Sequence, residues 1–94
     1  MATVVSGDFE WDDAKAASNL AKHGVDFDEA ITAVVDPNAI FLADEADPDR
    51  FIAIGMSASA RVLHVVHIER GARDRIISAR PATPFEETVY TAGP

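Results

Sequence analysis

Hydrophobic residues along this chain follow two different periods, and the change between them divides it in half. From Asp12 to Val35 the apolar positions recur at helical spacing; after a short apolar run at Ala39 to Ala43, from Arg50 they recur at every second residue. Before the helical part, Val4 and Val5, then Phe9 and Trp11 around Asp8 and Glu10, show a short alternation. Met1 to Trp11 therefore reads as an edge strand, with Ser6 and Gly7 as a break or bulge. Asp12 is placed to cap a helix, Asp13 puts negative charge in its first turn, and Ala14, Ala16, Ala17, Leu20 and Ala21 favour helix formation. Gly24 stops that helix after the basic pair Lys22 and His23. Asp26 and Glu29 form a capping-box-like pair ahead of a second helix with Phe27, Ala30, Ile31, Val34 and Val35 on its apolar face. Asp36, Pro37 and Asn38 end it.

In the second half, Ala39 to Ala43 predicts a short strand and residues 44–49, DEADPD, a solvated acidic loop. Ile52, Ile54 and Met56 alternate with Phe51, Ala53 and Gly55, so both faces of this strand are apolar and it belongs in the centre of a sheet. Ser57 to Ala60 turns the chain. In the next strand Val62, His64, Val66 and Ile68 share one face, and Arg61, Leu63, Val65, His67 and Glu69 the other. Gly71 to Asp74 reads as a second hairpin turn, from which Ile76 and Ile77 lead the last strand toward Ser78 and Arg80. Beyond Pro81 and Pro84, Phe85 to Tyr90 has room for one or two helical turns at most. The pattern as a whole predicts one α+β domain over residues 1–94, with two N-terminal helices packed across one face of a mainly antiparallel sheet.

Composition narrows the setting. A chain of 94 residues makes a single small core, which favours stabilisation by a second copy or another protein. Without any Cys there is no disulfide framework and no thiolate chemistry, and together with the lack of a long apolar run this predicts a cytoplasmic protein that does not enter membranes. The three His have no carboxylate spacing that would make a zinc site, and nothing else points to a cofactor.

Charge alters the picture more. The net charge of −8 argues against a nucleic-acid partner, but the charge is unevenly spread. Residues 1–49 hold 12 acidic residues against two Lys, whereas residues 50–80 hold six Arg against Glu69 and Asp74. The stretch RVLHVVHIERGARDRIISAR, Arg61 to Arg80, carries five of the eight cations and two of the three His. A basic patch on an acidic protein predicts a charge-matched partner. On the first helix Lys15, Asn19 and Lys22 or His23 share a face, which from spacing alone reads as a solvated stripe. His64, among Val and Ile, reads as a core histidine and His67 as a packing residue. Phe9 and Trp11 are equally read as core rather than as a base-stacking pair.

Taken in order, FEWDDAKAASNLAKHGVDFDEA followed by a DP, then RFIAIGMSA, VLHVVHIERG and RIISARPAT with Glu86 and Tyr90, resemble the BrnT family of type II toxins. The resemblance runs from Phe9 to Tyr90. It implies a RelE/ParE-like fold and a small ribonuclease that cleaves RNA, halting translation and growth, until it is bound by a ribbon-helix-helix antitoxin, BrnA. It also implies a toxin dimer or a toxin–antitoxin hetero-oligomer. Carried over by position, Lys22 and His23 match the KHG of the family, Glu69 and Arg70 its ERG, Arg80 its SAR, and Glu86 and Tyr90 its ExxxY.

RNA cleavage without a metal needs a base for the 2′-OH, cations for the charge that develops on phosphorus and an acid for the 5′-oxygen. The catalytic candidates are accordingly Arg80, Arg70, His23 and Glu69, with Lys22, Arg61, Arg75 and Tyr90 as RNA-binding candidates and no metal ligands. The tail after Arg80, PATPFEE, departs from the basic tail usual in the family, with Glu87 where an Arg is common. That departure supports a second reading, a catalytically weak toxin-fold protein that binds an antitoxin and modulates transcription.

Overall fold

The structure, a computed structural model, describes residues 2–94. Its elements are β1 (Thr3–Ser6), β2 (Phe9–Asp12), α1 (Asp13–His23), α2 (Phe27–Val34), β3 (Ile40–Ala43), β4 (Arg50–Met56), β5 (Val62–Arg70), β6 (Arg73–Pro81) and α3 (Pro84–Ala92). The expected α+β class is found. The strands form one six-stranded sheet in the order β1-β2-β6-β5-β4-β3. Four of its pairings are antiparallel, but β2 runs parallel to β6, so the sheet is mixed. That geometry follows from the path of the chain: α1 and α2 carry it from β2 across one face to β3 at the far edge, and the β4–β5–β6 meander returns to meet β2.

Three expectations need correction. The segment from Met1 to Trp11 is a hairpin and not one interrupted strand, because Gly7 at φ +58° lets β1 fold back on β2; Met1 itself lies outside the described residues. The turn between the last two strands is only Gly71 and Ala72, since Arg73 and Asp74 pair with Arg70 and Glu69. The helices are not all N-terminal: α3 spans nine residues, started by Thr83 in a capping box with Glu86 and by Pro84 in the first turn. The spacing Thr83-x-x-Glu86 was the sequence signal for it.

The helix signals before β3 behave as predicted, with one exception. Asp12 accepts the Lys15 N–H at 3.0 Å, Gly24 closes α1 in the left-handed region, and Asp26 accepts the Glu29 N–H at 2.7 Å. Glu29 does not complete its box; its carboxylate turns to Arg61 instead.

α1 and α2 cover the inner face of the sheet. Trp11, Val25, Phe27, Ala30, Ala33, Ala53, Leu63, Val65, Ile76 and Ala79 make the core there. The contact is close because small residues meet: a side chain at Gly55 would bring its Cβ to 2.1 Å from the Ala33 carbonyl oxygen. Asn19 is not part of a solvated stripe. It is buried in α1, its Nδ2 donates to the carbonyls of Val25 and Ala79, and its Oδ1 accepts from the Ala79 N–H. One side-chain amide thus takes the place of a neighbouring strand along the part of β6 that β2 is too short to reach. Among the described residues no helix is long and apolar enough to cross a membrane.

Candidate functional site

The outer face of the sheet, opposite α1 and α2, is where the chemistry collects. Residues pair across it in register: Ile40, Ile54, His64 and Arg80 form one row, Leu42, Ile52, Val66 and Ser78 the next, and Arg50, Ile68 and Arg75 a third. A bulge at Ile77 lets Ile76 and Ala79 both point into the core while Arg75, Ser78 and Arg80 point outward. By the same alternation Arg70 and Arg73 lie on this face, so five of the six Arg of the chain share it. The arginines of this acidic chain are thus gathered on one sheet face, where Arg50, Arg75 and Arg80 are paired with Asp47, Glu10 and Glu86.

α3 covers one end of that face, over Arg80. The guanidinium of Arg80 donates from Nη1 and Nη2 to the two oxygens of Glu86 at 2.8 and 3.0 Å, a fork-to-fork pair. Its Nη1 also donates to the Pro81 carbonyl. The Arg80 fork and the capping-box bond from the Thr83 N–H hold the Glu86 carboxyl far below the usual carboxylate range, at about 2. His64, the neighbour of Arg80 on β5, has its Nε2 at 3.8 Å from Glu86. Burial pushes its pKa down and the Arg80 charge adds to that, outweighing the opposing pull of Glu86, so at neutral pH the imidazole is uncharged. A neutral imidazole beside a guanidinium can accept a proton where an anion is being stabilised. Spacing along one strand could not reveal this neighbour pair, because it depends on the register of β5 with β6.

The other predicted residues are scattered around this centre. Lys22 and His23, at the C-terminal end of α1, line a shallow cleft of about 200 Å³ with Lys15, Ser18, Asn19, Ile77 and Ser78, on the flank of β6 that leads to Arg80. Glu69 and Arg70 lie at the tip of the β5–β6 hairpin. Seven residues of strand separate that tip from Arg80 on β6, about 23 Å at the usual rise, so the structure does not bring them to it. Arg75 is bound to Glu10 on the adjoining strand. Arg61 is committed to Glu29 through Nε and Nη2 and to the Gly24 carbonyl. The Tyr90 hydroxyl donates to Asp36, two residues past the end of α2, and so ties down the far end of α3. Two residues of the centre are not among the candidates: Glu86, and His64, which the sequence pattern reads as a core histidine but which lies on the outer face beside Arg80. His67 is buried as expected, with Nδ1 at 2.8 Å from Asp74 and its ring against Phe41 and Phe51.

Comparison with known proteins places the chain in a family. The family model described as "Ribonuclease toxin, BrnT, of type II toxin-antitoxin system" matches residues 11–86. The chain belongs to the BrnT family. Among solved structures, the crystal structure of the Brucella abortus ribonuclease toxin, BrnT, is similar to it, with a TM-score of 0.64 and 30% identity over 78% of this chain and 92% of that one. No curated protein matches it in sequence. As a BrnT-family chain it is a ribonuclease toxin of a type II toxin–antitoxin system, and its family implies an antitoxin partner. The matched span ends at Glu86, so in this BrnT chain both members of the Arg80–Glu86 pair fall within it.

Proposed function

We propose that this toxin cleaves RNA at the outer sheet face, and that Arg80 and His64 form the centre of the reaction. The observation that carries the reading is the Arg80 fork standing beside a neutral, half-buried His64 on the face that gathers five of six arginines. The substrate phosphate takes the place of the Glu86 carboxylate on Arg80. His64 accepts the 2′-OH proton, the 2′-oxygen attacks phosphorus, and Arg80 holds the charge that builds on the two non-bridging oxygens. The P–O5′ bond breaks to leave a 2′,3′-cyclic phosphate, and His23 or Lys22 on the adjoining flank of β6 gives the 5′-oxygen its proton. No step draws on a metal or cofactor. Arg70, Arg75 and Arg73 hold more distant phosphates, with Arg75 first leaving Glu10; Glu69 at the hairpin tip and the tethered Tyr90 position the chain ends of the RNA and of α3.

The remaining features of the reading follow from the family. The fold is of RelE/ParE type, the partner is a ribbon-helix-helix antitoxin of BrnA type assembling with the toxin as a hetero-oligomer, and the setting is the cytoplasm, where RNA is at hand. A second reading, a toxin fold that binds its antitoxin but turns over little RNA, is favoured by one specific observation: Arg80 is already satisfied by Glu86, and Glu87 follows it.

The deciding experiment is incubation of purified protein with total RNA and a chelator, beside Arg80→Ala and beside a stoichiometric amount of the antitoxin. Fragments with cyclic-phosphate ends that vanish with the substitution and with the antitoxin are the expected result. Intact RNA from a folded, antitoxin-binding protein would leave the second reading in its place.

A further inference from the structure

The sheet ends in two edge strands, β1 and β3; both are uncharged and largely exposed, and β3 is the one with two large exposed apolar side chains, against Val5 alone on β1. β3 reads Ile40-Phe41-Leu42-Ala43, without a charge, a proline or a bulge, and Phe41 and Leu42 on its opposite faces are 55% and 45% exposed. Natural edge strands usually carry such guards, because an unguarded apolar edge pairs with any suitable strand. Its hydrogen-bonding state can be read from the register. The Asp44 N–H donates to the Arg50 carbonyl, so the pairs 44–50, 42–52 and 40–54 face each other, and the N–H and C=O groups of Phe41 and Ala43 point away from β4 into solvent. Immediately beyond Ala43, residues 44–49 bring Asp44, Glu45, Asp47 and Asp49 to the end of this edge. Asp44 and Asp47 cap their own loop and Asp47 also meets Arg50, whereas Glu45 and Asp49 accept no hydrogen bond among the described residues.

We infer that the β3 edge receives an extended segment of another protein as a seventh strand, antiparallel to β3, with alternating apolar side chains and with Lys or Arg just ahead of them. The backbone groups of Phe41 and Ala43 supply the ladder. Phe41, backed by the Phe41–His67–Phe51 aromatic cluster, takes one set of apolar side chains, and Leu42 takes the other. The acidic loop selects the charge. An antiparallel strand passes Ala43 with its N-terminal part, so its leading cations lie against Glu45 and Asp49. A second copy of this chain fits less well, because each copy carries −8 and its own β3 is preceded by Asp36 and not by a cation. The inference concerns an edge remote from Arg80 and stands whether or not RNA is cut.

The test uses the full chain and a ten-residue peptide in which Lys-Arg precedes alternating Val and Thr. Calorimetric titration should show one site, and amide exchange should slow on binding at Phe41 and Ala43 but change little at Leu42, whose N–H already faces β4. Ala43→Pro removes an outward N–H without touching a β4 hydrogen bond and should weaken binding at least tenfold. Phe41→Lys, a guard of the natural kind, should do the same and covers the case in which the proline variant does not fold. Glu45→Gln with Asp49→Asn should weaken binding several-fold and flatten its salt dependence. The inference is overturned if the folded wild-type chain does not bind the peptide, if binding survives both edge substitutions, if a peptide with Glu-Asp in place of Lys-Arg binds equally well, or if the free chain is a dimer that Ala43→Pro converts to monomer.

Discussion

Two arginine–glutamate pairs in this protein are both bidentate, at similar distances, and have opposite surroundings. Arg61 meets both oxygens of Glu29 at 2.6 and 2.8 Å, and Arg80 meets both oxygens of Glu86 at 2.8 and 3.0 Å. Glu29 belongs to α2, which buries Phe27, Ala30, Ala33 and Val34 in the core, and the pair is reinforced by the Ser57 hydroxyl on Glu29 and by Arg61 donating to the Gly24 carbonyl. Glu86 belongs to α3, which has no buried residue and leaves Phe85 76% exposed. Separating Arg61 from Glu29 means moving a core helix. Separating Arg80 from Glu86 disturbs only a peripheral helix, tied to the rest by that pair, by the Tyr90–Asp36 bond and by its packing on β4 and β5. The same chemical pair is a structural clamp in one place and, in the proposed function, a releasable cover in the other, where His64 stands beside it.

The largest expected effect comes from breaking the second pair on the arginine side. Arg80→Ala should lower RNA cleavage by about two to three orders of magnitude, as loss of a principal charge-stabilising group does, while the chain stays folded and melts only modestly lower for want of the Glu86 pair. Arg61→Ala should do the reverse. Cleavage stays within a few-fold of wild type, and urea denaturation shows a loss of about 1–2 kcal/mol, a figure reduced for the partial exposure of the arginine. If Arg61→Ala abolished cleavage in a fully folded protein, the contrast between the two pairs would be sunk.

His64→Gln should cost about two orders of magnitude in single-turnover cleavage. Its pKa is depressed in the folded protein, so the active neutral form persists below pH 6.5, and the acid limb of the wild-type pH–rate profile should fall below that value and disappear in the variant. The profile read with a fluorescent RNA checks this.

Glu86→Gln sharpens the comparison from the carboxylate side. Because the folded pKa of Glu86 is lowered to about 2, its ion pair adds stability above an unfolded carboxyl pKa of about 4.3. That contribution is lost as pH falls from there toward 2. The variant should therefore melt lower than wild type at pH 7, with the difference closing through that window, and should bind a non-cleavable RNA several-fold more tightly. A variant that binds RNA more weakly would make Glu86 part of the substrate site and not its cover. The smallest effect is expected from Asp36→Asn, which loosens the Tyr90 tether. It should lower stability by about 0.5 kcal/mol and speed amide exchange in α3 and at Met56, whose N–H the same Asp36 oxygen accepts.

Much of the fold was legible in the chain because it rests on local physics. The caps at Asp12, Gly24 and Asp26 and the period-two stretches of β4 and β5 act over a few residues, and their spacing shows them directly. The parallel pairing of β2 with β6 was not legible, since it depends on where two distant strands meet after both helices have packed. Asn19 shows the same limit. At helical spacing it falls in line with Lys15 and Lys22, and only the position of β6 turns it into a buried bracket for Ala79.

Sequence alone determined the family, the two N-terminal helices and the three-strand meander, and it named Arg80 as a catalytic candidate. Tertiary structure decided which of the cations work together. Register placed His64 beside Arg80, strand length kept Arg70 and Glu69 about 23 Å away from it, and the packing of α2 took Arg61 out of reach. The physical reason is that a side chain's type and its period are properties of the local chain, whereas its charge state and its partners are set by whatever the rest of the fold brings within a few ångströms.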